Sequence, residues 1–352
     1  MFSQLSLSST EIGAREALTK LPILWKAILI AHAPDMVAEP LPDGEDARTY
    51  ARTSGSTGRP VKAVVSRVAQ LLYAVLWHRQ ARWFGLEREK AIGELRLASQ
   101  LPLDAQGQVL GLGAEANLPN WRYLGRLFRI GPPVCFALSN SYEAQLAWLE
   151  RHRPACLLTY PGSLEELAFE APDRLPGLGL QALISVGASA TPMMERTIAR
   201  RFGLALNQVY GLNEVGRVAV KCEHGRCHVH RESALVEIAD DGHPCPPGDR
   251  GRVMVTSLAN FVMPLLRHDT GDIAQAPLWV VIPCPRSGPL QAAFDGSLAR
   301  PGGPGNAFSA YANTLSRCMR RATTWCATIR SITGCRMSSS LGCLRASVRR
   351  SI

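Results

Sequence analysis

The chain has 352 residues, 46% of them hydrophobic, and a formal net charge of +10. That length allows one large or two ordinary domains, and the apolar share is that of a globular protein with a packed core. No run of ~18 apolar residues argues for a membrane-spanning helix, and Met1–Thr10 lacks the basic and apolar regions of a secretory signal, so the cytoplasm is the expected location.

The charge is uneven. Residues 276–352 carry ten Arg, no Lys, one Asp (Asp295) and no Glu, a net +9, so the first 275 residues are close to neutral. Five of the ten cysteines (Cys284, Cys318, Cys326, Cys335, Cys343) also lie there, among Gly/Pro/Ser clusters with no helix or strand period. A basic tail can bind nucleic acid, but this one lacks Lys and interleaved aromatics. It reads better as low-structure sequence, or as a GC-rich gene read out of frame. Ten cysteines in a cytosolic-looking chain do not argue for disulfides.

In chain order, residues 15–33 predict a helix and Leu41–Tyr50 a polar connector. The stretch Thr53-Ser54-Gly55-Ser56-Thr57-Gly58-Arg59-Pro60 follows. Its glycines admit close backbone approach, and its N–H groups and hydroxyls could cradle phosphate. It does not satisfy the Walker A pattern, and a plain polar loop is the competing reading. Val61–Val65 is then a short strand, and Ser66 caps a helix over Arg67–Trp83 with Val68, Leu71, Leu72, Val75 and Leu76 on one face. Parts of Leu97–Leu110, and Val134–Leu138, read as strands, and Ser141–Glu150 as a helix. Pro154–Tyr160 is a buried strand, Pro161–Ser163 a turn, Leu164–Ala171 a helix. Ala182–Gly187 is a second buried strand, Pro192–Phe202 a helix, Leu206–Tyr210 a third strand. Alternating strands and helices predict an α/β domain, with ligands beyond the carboxyl ends of the strands at Tyr160, Gly187 and Tyr210. From residue 217 the pattern turns β-rich, through Val218–Lys221, His228–His230, Ala234–Ile238 and Arg252–Ser257. The domain prediction is 1–275, with 217–275 its β-rich part, and 276–352 a tail with no recognisable domain.

Three signals stand in fixed order: TSGSTGRP at 53–60, YGLNE at 210–214 and HDTGD at 268–272. With LVEIADDGHPCPPGDRGRVMVTSL at 235–258 and MPLLRHDTGD at 263–272, the chain resembles the adenylate-forming superfamily, phenylacetate–CoA ligase branch, over roughly residues 15–275. The resemblance implies a multi-layer α/β fold with mixed sheets and a carboxylic acid–CoA ligase using ATP, Mg²⁺ and CoA or a carrier thiol. The acid would be small and aromatic. By resemblance, Thr53, Ser54, Gly55, Ser56, Thr57 and Gly58 would hold the phosphates. Gly187, Ala188 and Ser189 would bound the adenine site, with Tyr210 stacking on the base beside Gly211 and Asn213. Glu214 would hold Mg²⁺, Asp272 would accept the ribose hydroxyls, and Arg267 would meet phosphate or brace its loop. Tyr160, Pro161 and Gly187 would line the acid pocket. Plainer readings stand beside these: Tyr210 a core aromatic, Glu214 a solvated acid, Asp272 a turn cap, Arg267 a surface cation. Arg59 replaces the usual Lys, and Asn213 the usual hydroxyl.

Cys222, His228 and His230 are dense in zinc-ligand types, and the resemblance makes a structural Zn²⁺ an expectation there, with reduced thiols the alternative. Nothing after Ala276 resembles the superfamily's C-terminal lid with its lysine, so impaired turnover is expected. A nucleotide-binding protein without turnover is the first alternative, and a nucleic-acid partner for the tail the second.

Overall fold

A computed structural model describes residues 21–38, 48–52, 62–87, 89–104, 106–119, 131–221 and 227–276. The 53–60 loop, Cys222 and the tail beyond Ala276 lie outside the described residues. The helices are α1 (Lys26–His32), α2 (Arg67–Trp83), α3 (Tyr142–His152), α4 (Pro161–Glu170) and α5 (Pro192–Phe202). The strands are β1 (Arg48–Arg52), β2 (Lys62–Ser66), β3 (Ile92–Arg96), β4 (Glu115–Asn117), β5 (Pro133–Ala137), β6 (Cys156–Thr159), β7 (Ala182–Ser185), β8 (Leu206–Leu212), β9 (Gly216–Lys221), β10 (Cys227–Val229), β11 (Ala234–Asp240), β12 (His243–Pro244), β13 (Arg250–Ser257) and β14 (His268–Gln275). No helix among the described residues is long and apolar enough to cross a membrane.

The main sheet has eight strands in the order β10-β9-β8-β7-β6-β3-β5-β4. Its centre, β8 to β5, is parallel, and the flanking strands β4, β9 and β10 are antiparallel. The central strands are apolar on both faces because helices cover both. Leu95, Leu157 and Leu183 face a core built with α3, α4 and α5, around Trp148 and Phe202. Cys156, Leu158 and Ile184 face α2 and Trp77. A second sheet, β12-β11-β13-β14, is wholly antiparallel. The β11–β12 hairpin closes on Asp241 and Gly242, both at positive φ (44° and 81°), the pairing a two-residue hairpin of this twist demands. This mixed α/β architecture is the fold class expected from the sequence.

Local chemistry sets the element ends. Ser66 Oγ accepts from Ala69 N at 3.1 Å and Ser141 Oγ from Ala144 N at 3.3 Å, so both helices start where their caps stand. Thr191 caps α5, whose end falls at Gly203 with φ 68°. Some expectations differ. Helix α2 buries Ala69, Ala74, Leu76, Trp77, Gln80 and Ala81, while Val68 and Val75 are exposed. The small residues let α2 lie close to the sheet, and Trp77 supplies the bulk. The 97–110 stretch holds no strand among its described residues; the strand is Ile92–Arg96, and a short 3₁₀ turn follows at Ala98–Gln100. Pro161–Ser163 is the first turn of α4 rather than a separate turn, since Pro fits position N1. Of the helix expected over residues 15–33, residues 15–20 lie outside the described residues; within 21–33 the helix starts only at Lys26, because Leu24 pairs with His268 of β14.

Candidate nucleotide site

The parallel strands bring Arg96, Tyr160, Gly187 and Tyr210 to one edge of the sheet, at or just past their carboxyl ends. Tyr160 precedes α4, and Pro161 is buried beneath that helix start. Gly187 has φ 78°, and a Cβ there would meet Tyr160 Cε1 at 2.9 Å, so the glycine is needed for both reasons. Ala188 and Ser189 are exposed beside it. The loop is tied down by Gln208: its Oε1 accepts from Ala190 N at 3.0 Å and its Nε2 donates to Glu195 at 2.7 Å. Lys221 donates to the same Glu195 carboxylate.

Tyr210 lies on β8 and reaches the second sheet. Its hydroxyl donates to Asp272 Oδ2 at 2.7 Å. Burial foremost pushes the phenol up; the Thr270 bond pulls the other way, and the Asp272 bond with the Asp272 and Glu214 charges adds to the rise, so Tyr210 stays protonated. The ring also packs on the apolar cluster of Val215, Val218 and Val255. Gly211 and Asn213 are exposed. Asp272 is exposed and is not the turn cap: Asp269 accepts from Gly271 N at 3.1 Å, and Thr270 Oγ1 from Asp272 N at 3.1 Å. Asp269 is further held by Arg252, through Nε at 3.1 Å and Nη2 at 2.5 Å.

Glu214 is 4% exposed, which removes the reading of a solvated acid. Its Oε1 lies 3.2 Å from His268 Nε2, and His268 Nδ1 lies 3.2 Å from the Leu24 carbonyl. Both ring nitrogens thus face oxygen acceptors, and both are satisfied only when each carries a proton. Burial raises the Glu214 carboxyl, but the His268 hydrogen bond, a backbone bond and the His268 and Lys26 charges outweigh it and hold it below the ordinary carboxylate value. An ionised carboxylate is what a hard divalent cation takes when phosphates supply its other oxygens, so Glu214 fits Mg²⁺.

Arg267 is 2% exposed, with φ 45°. It is no surface cation. Its Nη1 donates to Leu21 O at 2.9 Å and Nη2 to Gly242 O at 2.7 Å, while Nε sits 3.4 Å from Glu237 Oε2. Of the two roles the resemblance allows, this geometry favours the brace: the guanidinium ties the N-terminal segment to the β11–β12 turn.

The zinc expectation finds no support among the described residues, with Cys222 lying outside them. Among the described residues no group of three or more His, Cys, Asp or Glu converges on a metal position. His230 instead meets Arg79 Nη2 at 2.7 Å and Gln80 Nε2 at 2.5 Å, with Trp83 stacked on its ring. Burial first, then the Arg79, Arg217 and His228 charges, pull its imidazole down to about 3, against Glu232. Two guanidiniums beside an imidazole repel a dication. His228 is buried nearby, edge-on to Trp83.

Sequence reasoning missed several of these residues. His268 stood inside a recognised motif, but its partner lies 54 positions away. Asn260 is buried in an apolar run; it donates to Val64 O at 2.7 Å and accepts from Ser66 N at 3.1 Å, pinning β2 directly after the 53–60 loop. A lone amide within such a run was the only available signal.

A parallel sheet covered by helices on both faces and joined to a second, antiparallel sheet defines a two-sheet α/β domain. The chain belongs to the AMP-binding enzyme family, whose model matches residues 7–263. It is 26% identical over 267 residues to a phenylacetate–coenzyme A ligase of Thermus thermophilus, covering 73% of this chain and 56% of that protein. It is 26% identical over 157 residues to the Escherichia coli enzyme of the same name, covering 42% and 36%. The chain therefore spans about half, or less, of the length of these curated relatives. Among solved structures, 2-hydroxyisobutyryl-CoA ligase in an open conformation with 2-HIB-AMP and CoA shares the fold at TM-score 0.58 and 18% identity, over 78% of this chain and 64% of that one.

Proposed function

We propose that this chain supplies the ATP- and acid-binding part of an AMP-forming carboxylic acid–CoA ligase. In the parent reaction a carboxylate attacks the α-phosphorus of ATP, pyrophosphate leaves, and the acyl adenylate passes its acyl group to the thiol of CoA. The observation that carries the reading is the Tyr210–Asp272 bond at 2.7 Å, which sets an aromatic face and a free carboxylate oxygen side by side at the strand ends. Adenine would stack on Tyr210, and the ribose hydroxyls would donate to Asp272. Glu214 would hold Mg²⁺, whose charge offsets that of the phosphates and the leaving pyrophosphate. The Thr53–Gly58 stretch would cradle those phosphates, and Gly187–Ser189 would wall the adenine. Tyr160 would line the acid pocket, with a small, aromatic acid favoured by the phenylacetate relatives. The domain's work is positioning: it aligns carboxylate and phosphorus so that the displacement needs little covalent help.

Titration calorimetry with AMP, beside a pyrophosphate-release assay with ATP, Mg²⁺ and phenylacetate, tests this. Micromolar AMP binding that Asp272→Asn weakens at least fivefold supports the reading. No AMP binding by the folded chain refutes it. AMP binding without pyrophosphate release leaves a nucleotide-binding protein without turnover.

A further inference from the structure

Arg96 closes β3 at the same sheet edge as Tyr160 and Gly187, and the function above leaves it without a task. Its guanidinium lies over the Tyr160 ring, 5.7 Å from the centroid. The residue is partly exposed, yet its Nε is fully buried and donates to nothing among the described residues. No described carboxylate pairs with it, whereas Arg79 has Glu232 and Arg252 has Asp269.

Tyr160 is also the N-cap of α4, and its side chain caps none of that helix's first N–H groups. The positive end of a ten-residue helix therefore opens beside the guanidinium. The phenol is occupied elsewhere, donating to Gln100 Oε1 in the turn after β3. Tyr160 is thus fixed from two sides, by Gln100 at its hydroxyl and by Gly187 at its ring edge. What remains at this end of the crevice, among the described residues, is a cation whose Nε bonds nothing and a helix start that its N-cap side chain does not cap. A purely hydrocarbon acid would cover them without bonding them, and an uncompensated buried donor is costly.

We propose that Arg96 and the start of α4 form an anion subsite at the acid end of the crevice, and that the acid carries a second anionic oxygen group besides the carboxylate that reacts. This rests on the proposed function, since it presumes that Tyr160 lines the acid pocket. Arg96 is a specificity-determining residue: its planar fork matches a carboxylate through two parallel N–H bonds.

The test titrates the full chain, saturated with AMP, with phenylacetate, with 2-carboxyphenylacetate and with glutarate. The wild type should bind one of the dicarboxylates roughly 10- to 100-fold more tightly than phenylacetate. Arg96→Met keeps the stack on Tyr160 and should abolish that preference while leaving AMP affinity unchanged. Arg96→Lys keeps the charge without the fork and should retain a few-fold preference, which guards against a folding artefact in the Met variant. If AMP binds and no dicarboxylate binds better than phenylacetate, the inference falls alone. It also falls if Arg96→Met weakens all the acids equally. If AMP itself does not bind, the proposed function falls and takes this inference with it.

Discussion

The Glu214–His268 pair gives the most direct physical test of the site. Both groups are essentially out of water, at 4% and 0% exposure, and 3.2 Å apart. At that separation and an effective dielectric of ~20, two unit charges attract by about 5 kcal/mol. Much of that offsets the cost of taking both charges out of water, so the net worth of the pair is smaller than its attraction. Removing one partner is different, because it strands the other: breaking a buried pair costs about 3–5 kcal/mol. His268→Leu fills similar space and removes both ring donors, so the Leu24 carbonyl loses its bond too, at about 1 kcal/mol. The expected loss is about 4 kcal/mol at neutral pH, read from urea unfolding followed by tryptophan fluorescence. Adding Glu214→Gln to His268→Leu should recover about 2 kcal/mol or more, since a neutral amide tolerates burial better than an orphaned carboxylate. The pH dependence has a definite sign. The folded Glu214 carboxyl lies below its ordinary value of 4.5, so its stabilisation is present above that value and is lost as pH falls through the lower, folded one. In His268→Leu this acid-labile part should vanish, leaving a flatter profile below about pH 4.5. A loss under 1 kcal/mol, or strict additivity in the double variant, would refute the charged, coupled pair.

Other expectations follow from the same contacts. His230 is held neutral with its imidazole at about 3 against an ordinary 6.5, so the unfolded chain binds the extra proton and stability should fall as pH drops from 6.5 toward 3, by up to roughly 5 kcal/mol; His230→Gln should flatten that range, and a wild-type stability unchanged between pH 6.5 and 4 would contradict the buried network. Tyr210→Phe deletes the hydroxyl's bonds to Asp272 and Thr270 and should weaken AMP a few-fold in calorimetry, whereas Tyr210→Ala also removes the stacking face and should weaken it by roughly 10-fold or more. Arg267→Met removes the Glu237 ion pair and the bonds to two carbonyls, so it should cost about 3–5 kcal/mol in urea unfolding; if it is a brace, pyrophosphate release per folded molecule should change little, and a selective loss of turnover at unchanged stability would restore the phosphate role.

Two of the central strands were legible because each announces itself twice. Cys156–Thr159 and Ala182–Ser185 are short, fully apolar or small, and bounded by Pro or Gly, which is what burial on both faces imposes. Helix α5 was legible to the residue, since Thr191 and Gly203 mark its two ends. Strand β3 was not. Ile92–Arg96 carries Gly93, Glu94 and Arg96, and nothing in that composition reveals that Gly93 makes room for Pro154 and Trp148, with a Cβ there only 3.0–3.1 Å from both. The motifs located Tyr210, Glu214 and Asp272 in sequence, but not the bonds among them. Residue type could not separate a bracing Arg267 from a phosphate-binding one; only the placement of Leu21 and Gly242 does. His228 and His230 misled for the converse reason. Metal-ligand types at strand spacing look like a site until a neighbouring helix fills the space with Arg79 and Gln80.

The residues proposed to meet nucleotide sit at the seam between the two sheets, and the seam is held mainly by the segment from Leu21 to Leu24. Leu24 N donates to Arg267 O at 3.1 Å, Asp269 N donates to Leu24 O at 3.0 Å, and the side chains of Arg267 and His268 bond the carbonyls of Leu21 and Leu24. These contacts join residues up to 246 positions apart. The entropy of closing such a loop must be met before any of them forms, so they are expected to consolidate after the parallel sheet, whose neighbours are closer in sequence. Glu214 is on the parallel-sheet side of this seam and His268 on the other. The carboxylate proposed for Mg²⁺ therefore acquires its counter-charge only when the second sheet and the N-terminal segment have docked. Until then it is an acid at the end of a strand, and a metal site there has no fixed geometry. The order of the site thus depends on contacts between distant parts of the chain, and variants at Leu24 or His268 should disturb nucleotide binding before they disturb the sheet beneath it.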